Sequence, residues 1–206
     1  MAQFTNAQEK WNKRFSTENY VFGKQVNHYL CAQKDRLHPG KALAIADGEG
    51  RNSVWLAQLG MQVDAFDFSQ VAIDKAKQLA HENAVSVNYV CSDWQNFVWE
   101  ENQYDYVVGI FFQFADPQSR TEIFHRMNQS LKSGGLLIIQ GYAPKQLEFN
   151  TGGPGVLENL YTEELIHSSF PNYQILDTCT YEKHIEEGDG HVGMSALIGF
   201  VGKKLD

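Results

Sequence analysis

Four short segments carry residue types that can act together on one ligand. The first, Ala46-Asp47-Gly48-Glu49-Gly50-Arg51-Asn52-Ser53, follows an apolar run and precedes a helical one. Glycines there permit a tight turn and close backbone approach, and the helix behind offers free N–H groups. Out of context, such a pair of glycines is equally an ordinary turn. The second, Asp67-Phe68-Ser69, ends another apolar run about 20 residues beyond Asp47, the place from which a carboxylate accepts the vicinal hydroxyls of a ribose. Ser69 is the better-placed cap for the following helix, which leaves Asp67 for the ribose. The third, Ser92-Asp93-Trp94, offers an acceptor for an adenine amino group and a ring to pack on the base. The fourth, Ile110-Phe-Phe-Gln-Phe114, has Gln113 as its polar exception, expected to face the ligand, among aromatics that a core would equally claim. Together the four describe a site for an adenosine-containing molecule.

Two more residues stand where a second reactant would need them. His191, in Glu186-Glu-Gly-Asp-Gly-His191, is a candidate for substrate contact or proton transfer, because imidazole changes charge near neutral pH. The alternative is a histidine that steadies a hairpin loop. Tyr142, just past an apolar run, points into the same cleft or is a core aromatic with its hydroxyl satisfied. His28, His38, His81, His125, His167 and His184 are scattered without metal-ligand spacing, so no metal is expected.

These residues need a frame to hold them. Lys41-Ala-Leu-Ala-Ile-Ala46 is the near-continuous apolar run of a parallel strand buried on both faces. A helix is predicted from about Ser53 to Leu59, closed by Gly60. Residues 61–67 read as the next strand, and Ser69 caps a helix with Ala72, Ile73, Ala76, Leu79 and Ala80 on one face. Residues 85–91 and 104–112 are predicted as the third and fourth strands. Asp116-Pro117 starts a helix with Ile123, Phe124, Met127 and Leu131 as its buried stripe, ended by Gly134-Gly135 ahead of a fifth strand over 136–139. Thr162-Glu163-Glu164 opens a last helix that stops at Phe170-Pro171. Residues 173–181 and 194–202 then form an antiparallel pair around the polar loop 186–191.

Strand and helix alternating five times before a closing hairpin imply an α/β fold, a doubly wound (Rossmann-like) sheet whose ligand site lies at the carboxyl ends of its strands. A single domain is expected, with a helical lid segment over 1–36 and a core over 41–206. Trp11, Phe15, Tyr20, Phe22, Tyr29 and Leu30 of the lid segment either pack on the sheet or cover the cleft. The loop Asn150-Thr-Gly-Gly-Pro-Gly155 has the composition of a mobile cover.

Composition narrows the partner. The 206 residues hold 43% hydrophobic and 20% charged side chains, which excludes a largely disordered chain. A net charge of −8 disfavours nucleic acid, whose phosphates need clustered Lys and Arg. No window approaches the roughly 18 apolar residues of a membrane span, and Met1–Asn6 shows no basic-then-apolar leader. Cys31, Cys91 and Cys179 are few, odd in number and far apart, as expected in a reducing cytoplasm. A small molecule is the expected partner; oligomeric state is not legible.

The four segments alone leave open a nicotinamide dinucleotide or S-adenosylmethionine. A dinucleotide fingerprint places a third glycine where Ser53 stands, and its fold continues with a second βαβ half where this chain has a hairpin. Both observations favour S-adenosylmethionine over an NAD(P)-dependent oxidoreductase. From Trp11 to Lys204 the chain resembles the class I S-adenosylmethionine-dependent methyltransferases, within them the bacterial group related to the tellurite-resistance methyltransferase. The resemblance rests on Gly48-Glu-Gly-Arg-Asn-Ser-Val-Trp-Leu-Ala57, Val63-Asp-Ala-Phe-Asp-Phe-Ser69, Leu131-Lys-Ser-Gly-Gly-Leu137, Gln140-Gly-Tyr142, Thr151-Gly-Gly-Pro154 and Glu187-Gly-x-Gly-His191-x-Gly193. It implies a seven-stranded sheet, mostly parallel with an antiparallel last strand and helices on both faces. It also implies in-line methyl transfer to a small acceptor, such as a thiol or a chalcogen oxyanion. Gly48 and Gly50 would lie under the methionine part, Asp67 at the ribose, and Asp93 with Trp94 beside the adenine. The chain departs from the family at Ala44 and Ala46, where most members have an acid and a glycine. Asp47 or Glu49 is then left to hold the cofactor's ammonium group, and a non-catalytic S-adenosylmethionine-binding protein stays among the readings.

Overall fold

The protein, seen here in a computed structural model, is described over residues 2–206, with side chains from residue 7 onward. The leader reading at Met1–Asn6 therefore bears on Met1 and on side chains outside the described residues. Seven strands form one sheet: β1 (Lys41–Ile45), β2 (Gln62–Asp67), β3 (Asn88–Cys91), β4 (Tyr104–Ile110), β5 (Leu131–Tyr142), β6 (Tyr173–Glu187) and β7 (His191–Lys204). Their spatial order is β3-β2-β1-β4-β5-β7-β6. β1 to β5 pair in parallel, and β7 runs antiparallel to both β5 and β6. The chain winds outward from β1 through β2 to β3, then returns to place β4 on β1's other side. The carboxyl ends of β1 and β4 thus flank the topological switch point, where open α/β sheets bind ligands.

Alternation along β1 shows why the sheet is covered on both faces. Leu43 and Ile45 enter one buried layer with Ile123, Phe124 and Met127 of α5 (Pro117–Ser130) and Ile166 of α7 (Glu163–Ser169). Ala42 enters the opposite layer with Leu30 of α2 (His28–Ala32) and Leu56 of α3 (Arg51–Gln58). Helix α4 (Gln70–Glu82), capped by the Ser69 hydroxyl on the Ala72 N–H, lies beside α3 through Val54, Leu79 and Ala80. Among the described residues no helix is long and apolar enough to cross a membrane.

Several boundaries differ from those read in the sequence, each for a local reason. β3 begins at Asn88 because the Val85 N–H is taken by Ala80 O at the end of α4. α5 stops at Ser130, not at the two glycines. The Lys204 ammonium takes the Asn128 and Leu131 carbonyls, and Leu131 already pairs with Tyr104 ahead of a bulge. α3 begins at Arg51, behind Gly50 in the N-cap position. The predicted loop 186–191 is mostly strand, with residues 188–190 as its turn. That long hairpin has a surface to rest on, since Gly190 donates to Val21 O at 2.7 Å. The N-terminal 36 residues are helical only in part. α1 (Ala2–Phe15) is followed by an irregular strap over 16–27, because Lys75 captures the carbonyls of Phe15, Thr17 and Asn19 at 3.2, 3.1 and 2.7 Å.

The turn after β1 is the tightest point of this frame. Gly50 has φ 90°, and a Cβ there would lie 2.7 Å from the Ala76 Cβ and 2.9 Å from the Tyr89 hydroxyl. Gly50→Ala combines a left-handed alanine with overpacking, and should cost roughly 2–4 kcal/mol. Urea or thermal unfolding of the variant measures that loss.

Candidate active site

β1 delivers the chain into a turn that no ordinary strand exit would make. Ala46 has φ 45°, a left-handed alanine where a glycine would be unstrained. Gly48 follows at φ 62°, and a Cβ there would meet only the Phe15 ring, at 3.7 Å. The space above that glycine is a cradle that a side chain would fill. The Asp67 carboxylate at the tip of β2 faces the same turn, accepting the N–H of Gly48 at 3.0 Å and of Ser69 at 2.9 Å. Burial pushes Asp67 up to about 6, against those backbone donors. Beyond it opens a pocket of about 250 Å³ lined by Gln8, Phe68, Cys91, Ser92, Asp93 and Asn96. Cradle, carboxylate and pocket lie in sequence along the carboxyl edge of the sheet, in the order of the amino-acid, ribose and base parts of an adenosyl compound.

The acids flanking the cradle differ in what holds them. Asp47 accepts the Ser53 N–H at 3.3 Å and hydroxyl at 2.5 Å, in the first turn of α3, and the Ser53 hydroxyl also meets the Tyr89 hydroxyl. Desolvation raises Asp47 to about 7. Glu49 is buried and paired with Lys75 at 2.5 Å, which ties the cradle to the strap.

A second cluster is built from rings. His191 lies 4.4 Å from both Phe22 and Phe111, and 5.8 Å from Tyr142, measured between ring centroids. Trp11 and Phe15 extend the cluster back over Gly48. Phe111 has φ 55°, a left-handed conformation that costs free energy and aims its ring at Tyr142, 4.8 Å away. The Tyr142 hydroxyl and His191 Nδ1 are both sealed and make no hydrogen bond among the described residues. Burial pushes the Tyr142 hydroxyl pKa upward. Burial also lowers His191, with Arg51 and Arg14 adding to the effect and Glu187 opposing it. The imidazole is therefore held neutral at neutral pH.

The remaining expected residues divide. Ser92 and Phe68 line the pocket. Asp93 also lines it, but its carboxylate caps its own turn through the Gln95 and Asn96 N–H groups. Trp94, half-buried, packs against the core layer that contains Phe66. Ile110 is core. Gln113, expected to face the ligand, is buried; it donates to Tyr142 O and Asn159 O and accepts the Tyr142 N–H, so its amide splices two loops. Arg51 and Asn52 turn their side chains to the strap. Arg51 donates to Phe22 O and pairs with Glu187, and Asn52 accepts the Asn27 N–H, so both grip the strap. The loop 150–155 is also pinned, the Thr151 hydroxyl donating to Met194 O and Gln146 donating to Thr151 and Gly152.

Sequence reasoning missed Gln8 and Asn12, which reach the second segment at Phe68 O and the Ser69 hydroxyl. It also missed Asn27 and Glu187. The only signal available was that these polar side chains interrupt or flank aromatic runs near the two termini.

Residues 42–135 match the family model described as a methyltransferase domain. Over 85% of its length the chain is 26% identical to the biotin biosynthesis bifunctional protein BioHC of Cellvibrio japonicus, covering 31% of that protein. The chain spans about a third of the length of the curated relatives it matches. Among solved structures, TehB from Haemophilus influenzae superposes with a TM-score of 0.72 at 17% identity, over 96% of this chain and 66% of that one. A structure concerned with conversion of a disulfide bond into a thioacetal group during echinomycin biosynthesis gives 0.77 at 13% identity, over 96% and 91%. Residues 42–135 thus match a methyltransferase domain, and the fold is the one these solved structures share.

The shifted acids set a pH dependence. Asp47 and Asp67 are raised from 3.8, so the stability tied to their protonated forms is fully present below about pH 4 and is lost as pH rises through about 6 and 7. Glu187, where burial is outweighed chiefly by the Arg51 guanidinium with the His28 N–H beside it, is lowered from 4.5 to about 2, so its contribution is present above pH 4.5 and is lost only as pH falls toward 2. Asp47→Asn should flatten the decline between pH 4 and 8, as read from urea midpoints across that range.

Proposed function

We propose that this chain is an S-adenosylmethionine-dependent methyltransferase that acts on a small molecule. The observation that carries this reading is the alignment of the open Gly48 cradle, the buried Asp67 carboxylate and the pocket beyond it. Bound there, S-adenosylmethionine supplies an electrophilic methyl group. Asp67 is oriented by two backbone donors to accept ribose hydroxyls, and Gly48 allows the backbone close approach to the amino-acid end. Phe15, Phe22 and Phe111 exclude water from the reacting atoms. Neutral His191 is available to contact the acceptor or take its proton, and the Tyr142 hydroxyl to donate a hydrogen bond to it. Orientation of this kind accounts for roughly 7–11 kcal/mol of a barrier, so an in-line displacement needs little more from the protein.

We infer that the acceptor is a soft nucleophile, a thiol or a chalcogen oxyanion such as tellurite or selenite. Such groups react without a strong base, and the ring cluster presents aromatic walls, the Tyr142 hydroxyl, the His191 imidazole and the guanidinium of Arg14 stacked on Trp11 and Phe22. The likeness to TehB and to the echinomycin structure points the same way. We place the enzyme in the cytoplasm, in keeping with three free cysteines, two of them exposed.

S-adenosylmethionine and S-adenosylhomocysteine should each raise the unfolding midpoint by several degrees when saturating, and NADH should not. Asp67→Asn should weaken S-adenosylhomocysteine binding by about 10- to 100-fold in calorimetry, the effect of losing hydrogen bonds to a charged acceptor. Wild-type binding should also weaken as pH falls below about 6, where Asp67 is protonated. Methylation of a panel of thiols, selenite and tellurite then tests the acceptor class.

A further inference from the structure

Three segments distant in sequence converge on one buried carboxylate. Glu187, 7% exposed, accepts Arg51 Nη2 at 2.6 Å, Asn27 Nδ2 at 3.0 and 3.3 Å, and the His28 N–H at 3.3 Å. Arg51 opens α3 after the turn that follows β1, Asn27 ends the strap and His28 begins α2, and Glu187 ends β6. The fourth neighbour is His191 across the hairpin turn, its Nδ1 3.9 Å from Glu187 Oε2. That distance exceeds a hydrogen bond, and Nδ1 is sealed without another partner. A modest shift of the ring closes the gap, as catalytic hydrogen bonds often do once ligands bind.

A purely stabilising role explains this arrangement poorly. Removing an arginine and a glutamate from water costs much of what their attraction returns, and apolar residues of similar size often serve a core as well. Geometry is what the carboxylate supplies. With Nδ1 facing Glu187 and closed to solvent, Nε2 is the ring nitrogen left for a ligand to meet. An imidazole whose Nδ1–H points at a carboxylate keeps a free lone pair on Nε2. The opposite tautomer would set a lone pair against the anion.

We propose that Glu187 is a positioning residue, which fixes His191 as the Nδ1–H tautomer with Nε2 open to the methyl acceptor while its pairing with Arg51 ties that orientation to the cofactor turn. This rests on the methyltransferase reading. The charged and titratable groups that bear on His191 are Glu187 from β6, Arg51 from the cofactor turn, Arg14 from α1 and Tyr142 from β5.

Long-range ¹⁵N–¹H spectra of the ¹⁵N-histidine-labelled full chain at pH 7 read the tautomer directly, with His191→Asn identifying the signal. The wild type should show His191 neutral, with its proton on Nδ1. A predominant Nε2–H form would overturn the proposal without recourse to any Glu187 variant. Glu187→Gln should move the signal toward a mixture of tautomers, and an unchanged spectrum would also overturn it. Because an uncompensated Arg51 endangers folding, Arg51→Gln/Glu187→Gln is run beside it with both charges removed, and the same mixture is expected. S-adenosylhomocysteine is titrated into each sample. Its failure to bind the wild type would overturn the methyltransferase reading, whereas the tautomer assignment is decided by the spectra of the ligand-free protein.

Discussion

The ion pair between Arg51 and Glu187 is where the parts of this molecule that are not sheet become one object. The sheet with its two layers of helices explains why the chain folds. It does not explain why an N-terminal strap, a turn after the first strand and the tip of a terminal hairpin share one place. Both partners of the pair are almost wholly buried, so neither can be left alone. Donors from Asn27 and His28 complete the shell of the carboxylate, and Phe22 O takes another N–H of Arg51. Each of these contacts would leave an unsatisfied buried group if one segment moved independently.

From that junction the rest of the site follows. With the strap held, Phe22 is pressed against His191 and Phe15 lies over Gly48. Lys75 secures the other end of the strap by binding three of its carbonyls and Glu49 beside the cradle. The Gly48 cradle and the ring cluster around His191 therefore share a wall, and that wall is not part of the sheet. Two strained residues, Ala46 and Phe111, sit where the wall meets the strand ends. Strain retained at such places is a common mark of a working site.

The acids around the cradle illustrate how environment separates like residues. Asp47 is spent on the first turn of α3 and Asp67 on backbone donors that leave its outer lone pairs free, while Glu49 is neutralised by Lys75. The strand position at which the resemblance leads one to expect an acid holds Ala44, buried inside the sheet. Of the two acids left to replace it, Glu49 is engaged with the strap and Asp47 with Ser53.

The sequence by itself determined the alternation of strands and helices, the turn after β1, the capping of α4 by Ser69 and the acid at the tip of β2. These are local matters: residue type sets backbone conformation, and periodicity sets which face is buried. It offered His191 and Tyr142 either as neighbours in one cleft or as structural side chains, and the fold brings their rings to 5.8 Å. Tertiary structure decided the partners. Gln113 looks like a ligand contact in sequence because it is a polar residue among aromatics, yet two loops claim both ends of its amide. Arg51 and Asn52 sit beside the cradle in sequence and grip the strap in space. No spacing rule connects Asn27 to Glu187, because a hydrogen bond between residues 160 positions apart depends on how the whole sheet brings its edges together.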